Sequence, residues 1–161
     1  ALWNAPGVVT TAPGYMGGDS PNPTYEQVCS HSTGHAEPVR VVFDTALTRA
    51  ADLVRLFFEI HDPTQVGGQG NDIGAQYRSA SWTTTPEQLR DATARRAAYQ
   101  EGLTERGFGP IQTVISPAPD ADSTAHFWYA EDYHQQYLFK NPGGYECHAR
   151  TGIACPALPR E

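Results

Sequence analysis

Two clusters and one loop in this sequence have residue types that could do chemistry. The first is its three cysteines, Cys29, Cys147 and Cys155, whose thiolates would be the strongest nucleophiles in the chain. Three are too few for a disulfide scaffold in 161 residues, and the odd count leaves at least one unpaired. That usage suits a reducing compartment with thiols open to exchange. Cys147 and Cys155 lie in an aperiodic stretch, residues 145–161, where Ala149, Arg150, Thr151 and Gly152 give the composition of a chain that can swing. On composition alone, idle surface thiols or a loop disulfide remain open readings for this pair. The second cluster is His31, His35 and Glu37, which offers nitrogen and oxygen ligands. Gly34 and Pro38 oppose their presentation on one helix face, and no Cys or His pair completes a set, so no metal is expected. The third feature is the stretch 13–23, rich in glycine and proline, which either only connects or is shaped to meet a ligand.

Composition limits the partners. A formal net charge of −7 with no basic cluster argues against nucleic acid, whose binding draws on Lys and Arg neutralising phosphates. No run of eighteen apolar residues suggests a membrane span, and no basic segment leads into an apolar one as in a signal peptide. One soluble domain over residues 1–161, with a core drawn from 39% hydrophobic residues, is the expectation.

The elements that must hold these residues can be read from periodicity. Ala1-Leu2-Trp3-Asn4-Ala5 resembles the last turn of a helix meeting the Pro6-Gly7 breaker, so the chain is expected to begin in mid-element. Residues 8–11 suit a short strand. In 38–44, Val39, Val41 and Phe43 alternate with Arg40 and Val42, the period of a strand. Residues 49–61 place Leu53, Phe57 and Ile60 at helical spacing before Pro63. Residues 79–84 are rich in β-formers. Thr85-Pro86-Glu87-Gln88 then supplies a cap, a proline at N1 and a Gln three residues on, predicting a helix over 86–106 that stops at Gly107. A strand at 111–116 and a helix at 127–141 complete the expected order. Strands alternating with helices beside a loop-rich remainder predict an α+β fold, a sheet layer covered by helices.

Five stretches in order then bring a family into view. They are Gly14-Tyr15-Met16-Gly17-Gly18; Asn22-Pro23-Thr24-Tyr25-Glu26-Gln27-Val28-Cys29 running to Thr33-Gly34-His35-Ala36-Glu37; and His61-Asp62-Pro63-Thr64. Gln69-Gly70-Asn71-Asp72-Ile73-Gly74-Ala75-Gln76-Tyr77-Arg78-Ser79 follows, then Ala130-Glu131-Asp132-Tyr133-His134-Gln135-Gln136-Tyr137-Leu138 with Lys140-Asn141-Pro142. Over nearly the whole chain the sequence resembles the A-type peptide methionine sulfoxide reductases.

The resemblance implies a two-layer sandwich, a mixed β-sheet packed by helices in a ferredoxin-like plait, with an irregular and mobile redox tail at 145–161. It implies thiol-dependent reduction of the S epimer of methionine sulfoxide, free or in proteins, as repair after oxidative stress. No cofactor is implied; thioredoxin is the implied reductant, the cytoplasm the implied setting, and a monomer the implied state. By resemblance Glu37 supplies a proton to the sulfoxide oxygen, Tyr15 and Tyr77 hydrogen-bond it, and Asp72 organises the site. Each also has a plainer reading: Glu37 solvated beside a strand, Tyr15 in a turn, Tyr77 in the core, Asp72 in an Asx turn. Cys147 corresponds to the resolving thiol and Cys155 to the recycling one, while Cys29 matches no redox position and is expected to be a small buried hydrophobe. His35 is expected to shape its loop. The family's nucleophile sits in a Gly-Cys-Phe-Trp-Gly motif before the position matching Pro6-Gly7 and is not among these residues, so the 161 residues alone are expected not to turn over. A non-catalytic module that binds methionine sulfoxide is the alternative. Two departures stand out: Glu146 separates Tyr145 from Cys147, and residues 118–125 form a longer acidic loop.

Overall fold

A computed structural model describes residues 1–120, 122–123, 125–146 and 149–157. Cys147, assigned above as the resolving thiol, lies outside the described residues. The described elements form an α+β fold with both antiparallel and parallel pairings, in keeping with the expected class.

A 3-10 turn at Leu2–Asn4 leads into β1 (Val8–Tyr15), which is longer than the expected strand at 8–11. Its extension runs through Pro13 and Gly14 because two partners hold it. Strand β2 (Val39–Phe43) pairs antiparallel along one side, and the far end of β1 pairs with β7 (Trp128–Tyr129) on the other. Gly14 is where β7 comes closest: a Cβ there would stand 2.3 Å from the Phe127 ring and from the Trp128 carbonyl oxygen, so a side chain would push the strands apart.

Between β1 and β2 lies α1 (Tyr25–Cys29), a single turn fixed by a complete capping box. The Thr24 hydroxyl accepts from the Gln27 amide at 3.3 Å, and the Gln27 side chain accepts from the Thr24 amide at 2.9 Å. After β2 come α2 (Ala50–Glu59), the hairpin of β3 (Gly68–Gln69) and β4 (Asp72–Ile73), and a 3-10 turn at Ala75–Tyr77. Gln65 pins the hairpin tip, accepting from the Gly70 amide at 2.6 Å and donating to its carbonyl at 3.0 Å.

Strand β5 (Ala80–Thr83) and β6 (Val114–Pro117) pair in parallel around α3 (Pro86–Thr104). The start of α3 follows its sequence signals: Thr85 accepts from the Gln88 amide at 3.1 Å, and Pro86 occupies the first turn, where its missing N–H costs nothing. Gly107 takes a φ of +82° just past the helix. Helices α2 and α3 meet over a core of Phe58, Tyr99, Leu103 and Cys155, edged by Phe57, Ile115 and Ile153. Beneath it, a buried polar chain ties three elements: the His61 ring contacts the Phe57 carbonyl at 2.7 Å and the Ser79 hydroxyl at 2.8 Å, and Ser79 meets Thr113 at 2.7 Å.

The expected helix over 127–141 is a correction. Only α4 (Tyr137–Lys140) is helical; Trp128 and Tyr129 form β7, and residues 132–136 turn. Two tertiary effects override the helical pattern. Trp128 and Tyr129, both good β-formers, find ladder partners in Tyr15 and Gly14. Gln136 sits at φ +57°, outside a helix, and its side-chain amide donates to the Thr11 carbonyl at 2.8 Å, while that of Gln135 donates to the Pro13 and Ala130 carbonyls. No described helix is long and apolar enough to cross a membrane.

Candidate active site

The antiparallel register of β1 and β2 decides which side chains meet. Thr10 opposes Val42, and the pairing runs without slippage through Pro13 and Val39. It continues past the strand ends: the Gly14 amide donates to the Pro38 carbonyl at 3.0 Å, and Met16 and Ala36 exchange both backbone bonds, at 3.0 and 2.9 Å. Tyr15 and Glu37 therefore stand directly opposite one another across the ladder, flanking the Met16–Ala36 bridge on the same face. Residues far apart in sequence are brought together by strand register alone.

The Glu37 amide is tied to the Gln76 carbonyl at 2.9 Å, which draws in the 3-10 turn carrying Tyr77. The adjacent β3–β4 hairpin brings Asp72, whose carboxylate accepts from the Tyr145 hydroxyl at 3.2 Å. Tyr15, Glu37, Tyr77 and Asp72, the four residues expected to handle the substrate oxygen, thus form one electrostatically connected group.

Glu37 is the centre of that group. Its Oε1 is buried with no hydrogen-bond partner among the described residues. Burial, with the negative charges of Asp72 and Glu131 adding to it, pushes its carboxyl up to about 7. Near neutral pH this carboxyl holds its proton for a large part of the time. The tyrosines stay neutral: burial, then the hydrogen bond to Glu131, raises Tyr15 well above the usual phenol range, and burial with the Glu37 charge raises Tyr77. A neutral phenol and a neutral carboxylic acid are hydrogen-bond donors, and an open carboxyl oxygen waits for a partner.

Three participants were not singled out in the sequence. Glu131, from the turn after β7, accepts from the Tyr15 hydroxyl at 2.6 Å and from the Tyr25 amide at 2.8 Å. Tyr25 joins the ring of phenols and is raised by the Cys29 side chain beside it and by burial. Tyr145 reaches Asp72 from the start of the expected tail. Glu131 and Tyr25 both lie in motif stretches, so their positions were visible and their role was not; it depends on β7 pairing with β1. Cys29 differs from its expectation: it is half-buried at the end of α1 and faces this aromatic cluster. His35 is buried, and a Cβ on Gly18 would lie 2.2 Å from its Nδ1, so that glycine lets the imidazole close against the loop. No group of three His, Cys, Asp or Glu side chains among the described residues is arranged to hold a metal ion.

Cys155 lies elsewhere. Its side chain is 3% exposed within the α2–α3 core, and its amide donates to Glu59 Oε1 at 3.0 Å. Its segment is fastened by Tyr99, whose hydroxyl meets Thr151 at 2.7 Å and the Ile153 carbonyl at 2.9 Å, and by Arg95, which donates to the Pro156 carbonyl. The described part of the tail is aperiodic, as its sequence indicates, and its stretch from Thr151 to Pro156 is held by these contacts around a buried Cys155.

The α+β scaffold thus sets a buried carboxyl with a raised pKa against neutral phenols, an arrangement chemically able to donate hydrogen. Comparison with known proteins makes the assignment specific. A family model for peptide methionine sulfoxide reductase matches residues 1–158. The chain is 54% identical over 157 residues to peptide methionine sulfoxide reductase MsrA of Azorhizobium caulinodans, covering 97% of this chain and 69% of that protein. It is equally identical over 155 residues to that of Rhodospirillum centenum. Among solved structures, methionine sulfoxide reductase A of Corynebacterium diphtheriae superposes with a TM-score of 0.83 at 44% identity, covering 99% of this chain and 76% of that one. Mxr1 from Saccharomyces cerevisiae in reduced form superposes at 0.77 and 33%, over 89% and 77%. The chain belongs to the peptide methionine sulfoxide reductase family.

Proposed function

We propose that these residues carry the proton-donating half of a site that reduces the S epimer of methionine sulfoxide to methionine, in proteins or free. The observation that supports it most directly is Glu37: a buried carboxyl with an open Oε1, raised to about 7, opposite the Tyr15 phenol across a fixed register. Sulfoxide reduction needs such a group, because an oxide leaves sulfur only when protonated.

In this reading a thiolate attacks the substrate sulfur while Glu37 protonates the sulfoxide oxygen, with Tyr77 donating a hydrogen bond and Asp72 sustaining the raised acid. The protonated oxygen passes from the substrate sulfur to the attacking sulfur, the transient bond between the two sulfurs breaks with its electron pair returning to the substrate, and methionine leaves with the thiol converted to a sulfenic acid. A second thiol, Cys147 by family resemblance, displaces that hydroxyl as water and forms a disulfide. Cys155 then exchanges with the disulfide, and a dithiol protein of the thioredoxin class reduces it. By family resemblance the first thiol comes from a Gly-Cys-Phe-Trp-Gly segment, which Cys29, Cys147 and Cys155 do not match. For Cys155 to take part, its segment must leave the α2–α3 core, since thiol exchange needs in-line access to sulfur. A monomer in a reducing compartment such as the cytoplasm fits this scheme.

The test is an assay of (S)-methionine sulfoxide reduction with dithiothreitol, using this chain and a form extended at its N-terminus by a family-like strand and Gly-Cys-Phe-Trp-Gly helix start. Only the extended form is expected to be active, and Glu37→Gln is expected to abolish that activity. If both forms fold and neither reduces the substrate, the reading fails, and calorimetric titration with a methionine sulfoxide peptide decides whether a binding module remains.

A further inference from the structure

Glu131 makes more contacts to the site than any role assigned so far requires. Its Oε2 takes the Tyr15 hydroxyl at 2.6 Å and faces His134 Nδ1 at 3.3 Å, while its Oε1 takes the Tyr25 amide at 2.8 Å. The amide is one of the donors at the start of α1 that no helical carbonyl can satisfy. One carboxylate therefore joins the end of β1, the first turn of α1 and the turn after β7. Ring contacts brace it: His134 packs edge-on against Tyr25 at 4.8 Å and tilted against Tyr133 at 4.3 Å.

The bond to Tyr15 also fixes a direction. An ionised carboxylate has no hydrogen to offer, so in the 2.6 Å bond the phenol is the donor. Tyr15 has one hydroxyl hydrogen, and it points at Glu131. Toward Glu37 and the substrate site, Tyr15 then offers only lone pairs, and a sulfoxide oxygen also offers only lone pairs. Of the residues assigned to that oxygen, Glu37 and Tyr77 are left to donate to it, with the Tyr25 phenol hydrogen-bonded beside Tyr77.

We infer that Glu131 is a positioning residue of the reducing site, one that holds Tyr15 and the start of α1 in a single frame and turns the Tyr15 hydroxyl hydrogen away from the substrate oxygen. The inference rests on the function proposed above. Glu131 is itself consistent with a permanent anion: burial pushes its carboxyl up, and the bonds from Tyr15, Tyr25 and His134 outweigh this and hold it below the usual range. Its charge also reaches Glu37, which shares its surroundings with Asp72 from β4, Tyr15 from β1, Tyr25 from α1 and Tyr77 from the 3-10 turn.

Two measurements test it. In the N-terminally extended form, Glu131→Gln is expected to lower kcat/KM roughly tenfold, the cost of one charge-assisted hydrogen bond. In a Tyr15→Phe background the same change is expected to have a clearly smaller effect, because the part that acts through the Tyr15 hydroxyl is gone and only the Tyr25 amide bond and the charge on Glu37 are left to lose. In the 161-residue chain, NMR titration of the Glu37 carboxyl is expected to move to lower pH in Glu131→Gln. If the two substitutions multiply independently, or Glu37 titrates unchanged, the inference is overturned. Should Glu131→Gln not fold, Glu131→Asp, one methylene short of Tyr15, tests the same coupling. An inactive wild-type extended form would sink the functional reading instead, and the Glu37 titration would still report on Glu131.

Discussion

The α2–α3 core and the carboxylate site both bury groups that titrate, and they treat them in opposite ways. In the core, His61 is met at both ring nitrogens, by a backbone carbonyl and by Ser79, and Ser79 is met in turn by Thr113. In the site, Glu37 Oε1 has no partner among the described residues, while two further carboxylates press on it. Leaving a buried polar atom unpaired costs about 1–3 kcal/mol, so a fold that satisfies one group fully and another incompletely is spending stability at the second. Around His61 the fold buries polar atoms to hold elements together; at Glu37 it buries a carboxyl oxygen that is left open to react.

That contrast can be broken or sharpened experimentally, beginning in the core. Phe58 is wholly buried between α2 and α3, and Phe58→Ala is expected to cost roughly 3–5 kcal/mol in urea unfolding. The same variant is expected to leave the Glu37 titration in place; a shifted titration would mean the two regions are one cooperative packing unit. His61→Ala strands Ser79 and the Phe57 carbonyl and is expected to cost about 2 kcal/mol. Burial holds the His61 pKa below its usual value, so unfolding binds a proton that the native state refuses. Stability from this group is complete above the unfolded histidine value of about 6.5 and falls as pH drops from there toward the lower folded value. Thermal melts from pH 7 to 5 should show that fall in the wild type and not in His61→Ala.

The smallest effect is expected at Glu37, with the opposite sign. Its folded pKa of about 7 lies above its usual value, so its contribution is complete at low pH and is lost as pH rises through 7. Glu37→Gln should therefore stabilise the protein above pH 7, by ~1 kcal/mol once solvent screening is allowed for. Melts at pH 8 in which the variant is no more stable than the wild type would show that Glu37 is not held under strain.

The elements legible in the sequence are those whose cause is local. The alternation of Val39, Val41 and Phe43 gave β2, and Thr85, Pro86 and Gly107 bracketed α3 because caps, fixed φ and a left-handed glycine act within one turn. Residues 127–141 misled for the converse reason. Their periodicity is helical, but strand pairing with Tyr15 and the side-chain bonds of Gln135 and Gln136 come from β1, more than a hundred residues away. The site follows the same division. Glu37, Tyr15, Tyr77 and Asp72 were reachable through motif resemblance, whereas their meeting depends on the β1–β2 register running past the strand ends. Glu131 escaped notice because the residues it binds, Tyr15 and the Tyr25 amide, belong to other segments.

The burial of Cys155 bears on how its sulfur ages. Peroxide and small alkylating agents act on an accessible thiolate, and this thiol is both shut in and pushed above its usual acidity range by burial. It is therefore sheltered from over-oxidation for as long as Tyr99 and Arg95 grip the strand of chain around it. Any exchange at this sulfur is timed by how often that grip lets go, so its speed is a property of local unfolding before it is a property of sulfur chemistry.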